Sequence, residues 1–197
     1  NRIMKRTQTF DSGASASLPY AGGLLLIFGA HGGAPLMLDL AARLSVCGPV
    51  RLLDCGNRSN MYRVARTLRT LTADPVTVLR QIQLSRAFTC YQVVTLLEKI
   101  ASGKGTPVLV LDLLATFMDE SVQASESSQL FERALQCLLA ISAHSPVVVS
   151  ARPLLLLSAP RFGLLEQLKR AASEVWEEDE VLPSRATDVQ LSLLADY

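Results

Sequence analysis

A chain of 197 residues, 49 % of them hydrophobic and 19 % charged, is long enough for one domain with a sizeable core and too apolar for a disordered one. Its formal net charge of +1, from 19 basic and 18 acidic side chains, argues against a dedicated electrostatic binder of nucleic acid, although a local patch is compatible with it. No apolar run approaches the ~18 residues needed to span a bilayer.

Residues 1–21 are polar, rich in Ser, Thr, Ala and Gly, and without periodicity. They are expected to form a flexible N-terminal segment ahead of a single domain over 22–197, and the opening residues lack the apolar core of a secretion signal. From there short apolar runs alternate with amphipathic stretches. The runs 24–28 (LLLIF), 50–53 (VRLL), 82–84 (IQL), 108–114 (VLVLDLL) and 147–150 (VVVS) read as buried strands. Helical patterns fall between and after them, at 35–45, 58–72, 90–101, 126–143 and 162–173. In 126–143 the apolar set Leu130, Phe131, Ala134, Leu135, Leu138 and Ile141 follows the i, i+4, i+7 rule, and Gly103 is placed to close the helix before it. Strands alternating with helices predict right-handed βαβ units: an α/β fold with a mostly parallel central sheet and helices on both faces.

Between Ile27 and Met37 the chain reads IFGAHGGAPLM, the outline of a phosphate-binding loop. The working motif, G-x-x-x-x-G-K-S/T, surrounds phosphates with backbone amides and adds a lysine for the terminal phosphates and a hydroxyl for magnesium. Laid on Gly29, it places Gly32 and Gly33 in the loop, Ala34 at the second glycine, Pro35 at the lysine and Leu36 at the hydroxyl. Loss of the lysine removes the one full positive charge, leaving a helix N-terminus worth about half a charge. Proline also lacks an N–H, yet it suits the first turn of a helix. The substitution keeps the strand–turn–helix geometry and subtracts phosphate binding. A generic glycine-rich turn is the plain alternative.

Asp112 ends an apolar strand as the magnesium-holding aspartate of the second nucleotide motif does; alternatively it is a buried acid capping a nearby amide. Asp54, in Asp54-Cys55-Gly56-Asn57, is the only acid near the place where a water-polarising base is expected, and that stretch is also simply a good turn. Beyond it Arg58, Arg63, Arg66 and Arg69 accompany Tyr62. The last three arginines form either a basic face or the solvated side of an amphipathic helix whose Met61, Val64, Leu68 and Leu71 point inward; the near-neutral total charge favours the second. The four cysteines carry no C-x-x-C spacing and the two histidines stand far apart. No metal site is expected, and reduced thiols in a cytoplasmic setting are the plain reading.

Taken in order, these pieces resemble the RecA superfamily, specifically the core ATPase domain of the archaeal–eukaryotic strand-exchange recombinases and their paralogues, a P-loop NTPase fold. The segment from Ala21 to Gly29 is similar to the family's glycine-led strand before its phosphate loop, and Val50 to Asp54 to its second strand. The segment from Ile82 to Gln92 is similar to its strand-plus-Arg-Ala stretch. Val108 to Phe117, a long helix, and Val147 to Arg152 resemble the magnesium-aspartate strand, its helix and the strand ending at the nucleotide-sensing residue. The match covers about 21–152. Lysine, hydroxyl and catalytic acid are absent, and Arg152 replaces the sensing glutamine. Past Pro153, Leu154–Leu157 and Arg161-Phe162-Gly163 fall where relatives carry a mobile DNA loop, but the stretch is leucine-rich and ends in acidic Glu177-Glu178-Asp179-Glu180.

The resemblance implies a catalytically inactive recombinase paralogue, not itself an ATPase, acting as a protein-interaction module in DNA recombination or repair. The implied partner is a protein, an active RecA-type subunit being the natural one, with DNA contacted indirectly or weakly and no membrane contact. The implied location is cytoplasmic, with the nucleoid or nucleus as the setting for a repair factor. In this family ATP lies between neighbouring subunits, so Arg86 and Arg152 are candidates for one wall of a shared site; equally, both are strand-end residues that could pair with acids on the surface. No cofactor of its own is expected. The alternatives are an ATP-binding protein, with Mg2+, that uses Gly29, Gly32, Gly33 and Asp112 in a non-standard loop, and a direct DNA-binding recombination accessory factor.

Overall fold

A computed structural model describes residues 6–10, 23–31, 33–102, 105–153 and 159–178. Among the described residues seven strands form one sheet: β1 (Arg6–Phe10), β2 (Leu24–Phe28), β3 (Val50–Asp54), β4 (Ile82–Arg86), β5 (Val108–Leu111), β6 (Val147–Ala151) and β7 (Glu174–Glu178), in the order β1-β7-β2-β6-β5-β3-β4. Every pairing is parallel. Parallel neighbours require crossovers, supplied by α1 (Ala34–Cys47), α2 (Met61–Leu71), α3 (Pro75–Leu79), α4 (Cys90–Ala101), α5 (Ala124–Ser142) and α6 (Ala159–Ala171).

The direction of each crossover decides its face. Steps from β2 to β3 to β4 run one way along the sheet and carry α1–α3; the return steps to β5, β6 and β7 carry α4–α6. With right-handed crossovers, opposite directions put the two helix sets on opposite faces. Strand alternation agrees: Leu25 and Ile27 pack with Met37, Val64 and Leu68, whereas Leu24 and Leu26 pack with Val93, Leu138 and Leu164. Strands β2, β5 and β6 are covered on both sides, which is why they read as unbroken apolar runs.

The five sequence-predicted strands and five helices are all present, with three differences. Arg6–Phe10, read as part of a flexible segment, is a strand against β7. Strand β5 stops at Leu111 instead of Leu114, because Asp112 takes left-handed dihedrals (φ 52, ψ 53) and a 3-10 helix, Leu113–Met118, follows. Leu71 is exposed at the end of α2 rather than inward-facing, while Val64 and Leu68 are buried as expected. Helix α3 and strand β7 are additional. Gly103 lies outside the described residues; α4 ends at Ala101 with Ser102 as its C-cap.

Local chemistry explains the helix starts. Asn60 accepts from the amides of Tyr62 and Arg63, Asp74 from Thr77, and Thr89 from Gln92, each side chain satisfying a first-turn N–H that the helix leaves open. Among the described residues, no helix is long and apolar enough to cross a membrane.

Candidate functional site

Because all strands run the same way, the ends of β2, β3, β5 and β6 open on one rim. Strand β2 leads to a helix on one face and its neighbour β6 to a helix on the other. Such switch points are where open parallel sheets form crevices.

The loop after β2 is held tightly. Its first amide, on Gly29, donates to the Ala151 carbonyl at 3.3 Å. Gly33 is the N-cap of α1 in a left-handed conformation (φ 55), and a Cβ there would stand 2.3 Å from Ile27 Cγ2. Only glycine meets both conditions. Gly33→Ala is expected to cost about 2 kcal/mol, from positive φ and overpacking together, measured as a lower urea midpoint. An unchanged midpoint would mean that the turn tolerates a side chain. The N–H of Ala34 donates to the His31 carbonyl at 3.3 Å, and Pro35 has no N–H. Pro35 is the second residue of α1 rather than the first, and Leu36 packs against the α1–α2 core. The amides at 34 and 35 that a cradle would direct at phosphate are therefore spent or missing. Gly32 lies outside the described residues.

Asp112 has a nearly buried side chain, 5 % exposed. Its backbone N–H donates to Ser150 Oγ at 3.0 Å, and its Oδ2 accepts from Arg152 Nε at 2.6 Å. Arg152 Nη2 lies 2.6 Å from the same oxygen. The guanidinium thus occupies one oxygen of the Asp112 carboxylate with two of its nitrogens. Gly56 completes the enclosure: a Cβ on it would fall 2.4 Å from Asp112 Oδ2 and 2.6 Å from Asp112 Cβ.

Asp54 is also fully engaged. Its oxygens accept from the amides of Arg58 and Ser59, both at 2.9 Å, and from Ser59 Oγ. Arg86 Nε stands 3.7 Å away, with Arg86 Nη2 on Ser59 Oγ. A carboxylate so occupied organises the turn into α2 and is not poised to polarise water. Cys55 lies between the two acids. Burial, then the charges of Asp54 and Asp112, push its thiol far above the ordinary range, which leaves it protonated and unreactive.

The structure brings Asp112 and Arg152 together and separates Arg86, which lies on β4, two strands from β5, and pairs with Asp54 on the neighbouring β3. Both arginines are engaged within their own chain. Of the proposed basic face, Arg63 is committed to Asp39 (Nη2 to Oδ2, 2.6 Å), which also accepts from Thr67, while Arg66 and Arg69 are exposed. Arg161 is buried in α6 and donates to the carbonyls of Val122 (2.7 Å) and Phe117 (3.4 Å). This side chain ties α6 to the turn before α5 and is unavailable to DNA. Leu154–Leu157 lie outside the described residues.

Sequence reasoning missed Ser150, Ser59 and the contact between Gly56 and Asp112. Ser150 is the one polar residue of an otherwise apolar strand, and that was its signal in the sequence. Among the described residues no group of three or more His, Cys, Asp or Glu side chains is placed to hold a metal.

Fold and rim together define a doubly wound parallel α/β protein whose strand-end carboxylates are neutralised from within. No protein-family model matches the chain, and no curated protein matches it.

Proposed function

We propose that the chain is a non-hydrolysing RecA-type paralogue that serves as a protein-interaction module in DNA recombination or repair. The observation that carries the reading is the Asp112–Arg152 pair. The position that resembles the magnesium aspartate already has a cation on it, 2.6 Å away and covalently part of the protein. A second cation brought to Asp112 has to displace that guanidinium. The loop points the same way, through the occupied Ala34 amide and the absent Pro35 amide. ATP with Mg2+ does not fit these residues, and no catalytic step is assigned to them.

What remains is the scaffold: a parallel core covered on both faces and a rim of paired charges. Such a protomer contributes contacts and leaves turnover to its partner. Titration of the purified chain with ATP and magnesium tests this by calorimetry. The expected result is no saturable binding at or below ~100 µM, a free energy near 5.5 kcal/mol. Tighter binding that is lost in Asp112→Asn would overturn the reading in favour of a nucleotide binder with unorthodox contacts.

A further inference from the structure

The charge of the molecule is unevenly distributed. The connections on the α1–α3 face carry Arg43, Arg58, Arg63, Arg66, Arg69 and Arg80 against Asp39 and Asp74, although the whole chain is only +1. A cleft of about 400 Å³ lies on this face, between the loop after β2 and the start of α2. Its floor is Ala34, Pro35 and Leu38; its rim includes His31, Asn57, Arg58 and Arg63.

The two rim arginines differ. Arg63 is locked by Asp39. The guanidinium of Arg58 makes one long contact, Nη2 to the His31 carbonyl at 3.5 Å, and among the described residues no carboxylate pairs with it. We infer that this cleft binds a short acidic segment of a partner protein, with a carboxylate on Arg58 and a neighbouring aliphatic side chain on the Ala34–Pro35–Leu38 floor. The inference rests on the interaction-module reading and gives it a surface.

Several features favour a peptide over nucleic acid. The volume is at the small end of ligand clefts, roughly 300–1,000 Å³, enough for a few side chains. Ala34, Pro35 and Leu38 are aliphatic and His31 supplies the one ring among the lining residues, against the several aromatic faces on which successive bases stack. Arg63 is already paired with Asp39, and a polyanion draws its affinity from many phosphate contacts at once. One unpaired guanidinium beside an apolar floor suits a single bidentate carboxylate.

The probes are a fluorescein-labelled peptide of alternating glutamate and leucine, its twin with lysine for glutamate, and an oligothymidylate of equal charge, followed by fluorescence anisotropy. The glutamate peptide is expected to bind with a Kd on the order of 50 µM at low salt, and its lysine twin not at all. Arg58→Glu should weaken it at least tenfold and accept the lysine twin instead. Both effects follow from the rim charge, because the Arg58 amide that supports Asp54 is retained. Pro35→Glu, an exposed change at the floor, should weaken the glutamate peptide in the same way. Indifference to both substitutions, or no binding at about 1 mM peptide, would overturn the inference. So would preferential binding of the oligothymidylate with the same dependence on Arg58, which would make the cleft a nucleic-acid contact. The ATP titration is separate, so the cleft can fail while the inactive-paralogue reading stands, and the reverse.

Discussion

Gly56→Ala is expected to destabilise the protein by about 3 kcal/mol, more than any other single methyl addition described above. The added carbon would meet Asp112 Oδ2 and Cβ at 2.4 and 2.6 Å. Neither neighbour can yield cheaply. The carboxylate is held by Arg152, and the Cβ is fixed by a backbone already in the left-handed region. The expected measurement is a fall in melting temperature of roughly 6–12 °C for a chain of this size. Asp112→Gly provides the control. It removes both obstructing atoms and suits φ 52, so Gly56→Ala in that background should cost at least 1 kcal/mol less than in the parent. If the two substitutions simply add, the contact is not the cause.

Arg152→Ala is the second large effect, expected at about 2 kcal/mol. Removing one partner of a fully buried pair costs roughly 3–5 kcal/mol, because the other charge is stranded. Arg152 is itself 39 % exposed, so water reaches its partner once it is gone, and the figure is reduced accordingly. The comparison is Arg133→Ala, which breaks an equally short pair with Glu98 whose members are 60 % and 46 % exposed. That change should cost no more than ~0.5 kcal/mol. Chemical denaturation of the three proteins separates the cases. Equal losses would mean that Asp112 is not dependent on its arginine. Because the Asp112 Oδ2 is already taken by Arg152, Mg2+ is not expected to raise the stability of the parent protein, since a ligand shifts folding only when it binds the folded state.

Much of the fold was readable because burial on both faces leaves a strand no reason to alternate. LLLIF, VLVL and VVVSA announce themselves in that way. The strands β1 and β7 did not, since RTQTF and EVWEE are polar at most positions and lie in the half of the sheet farthest from the arginine-rich connections. The short helix α3 had a legible start in Asp74-Pro75, but PVTVL is too brief to show a period. At Asp112 the sequence offered two strand ends, one at the acid and one at Leu114. Aspartate is one of the few residues that tolerates left-handed dihedrals, and the strand stops beside it, at Leu111.

The candidate site divides along the same line. Local anatomy was legible: the glycine-rich turn after β2 and the proline that suits a helix start. Pairing was not. Arg152 stood out as a departure from the resembled pattern, but its acid lies 40 positions earlier and meets it only through the β5–β6 register. Similarly, the arginines after Asp54 looked alike in sequence. Only the packing of α1 on α2 distinguished Arg63, bound by Asp39, from Arg58, left for something else.

The internal cation has one more consequence. An enzyme that gains and loses a metal-bound nucleotide passes through states of different local charge, and its neighbours can sense which state it occupies. Here the compensating charge on Asp112 is tethered to the same polypeptide. The charge balance at the ends of β5 and β6 is therefore set by the fold itself, and no ion from solution is needed to complete it.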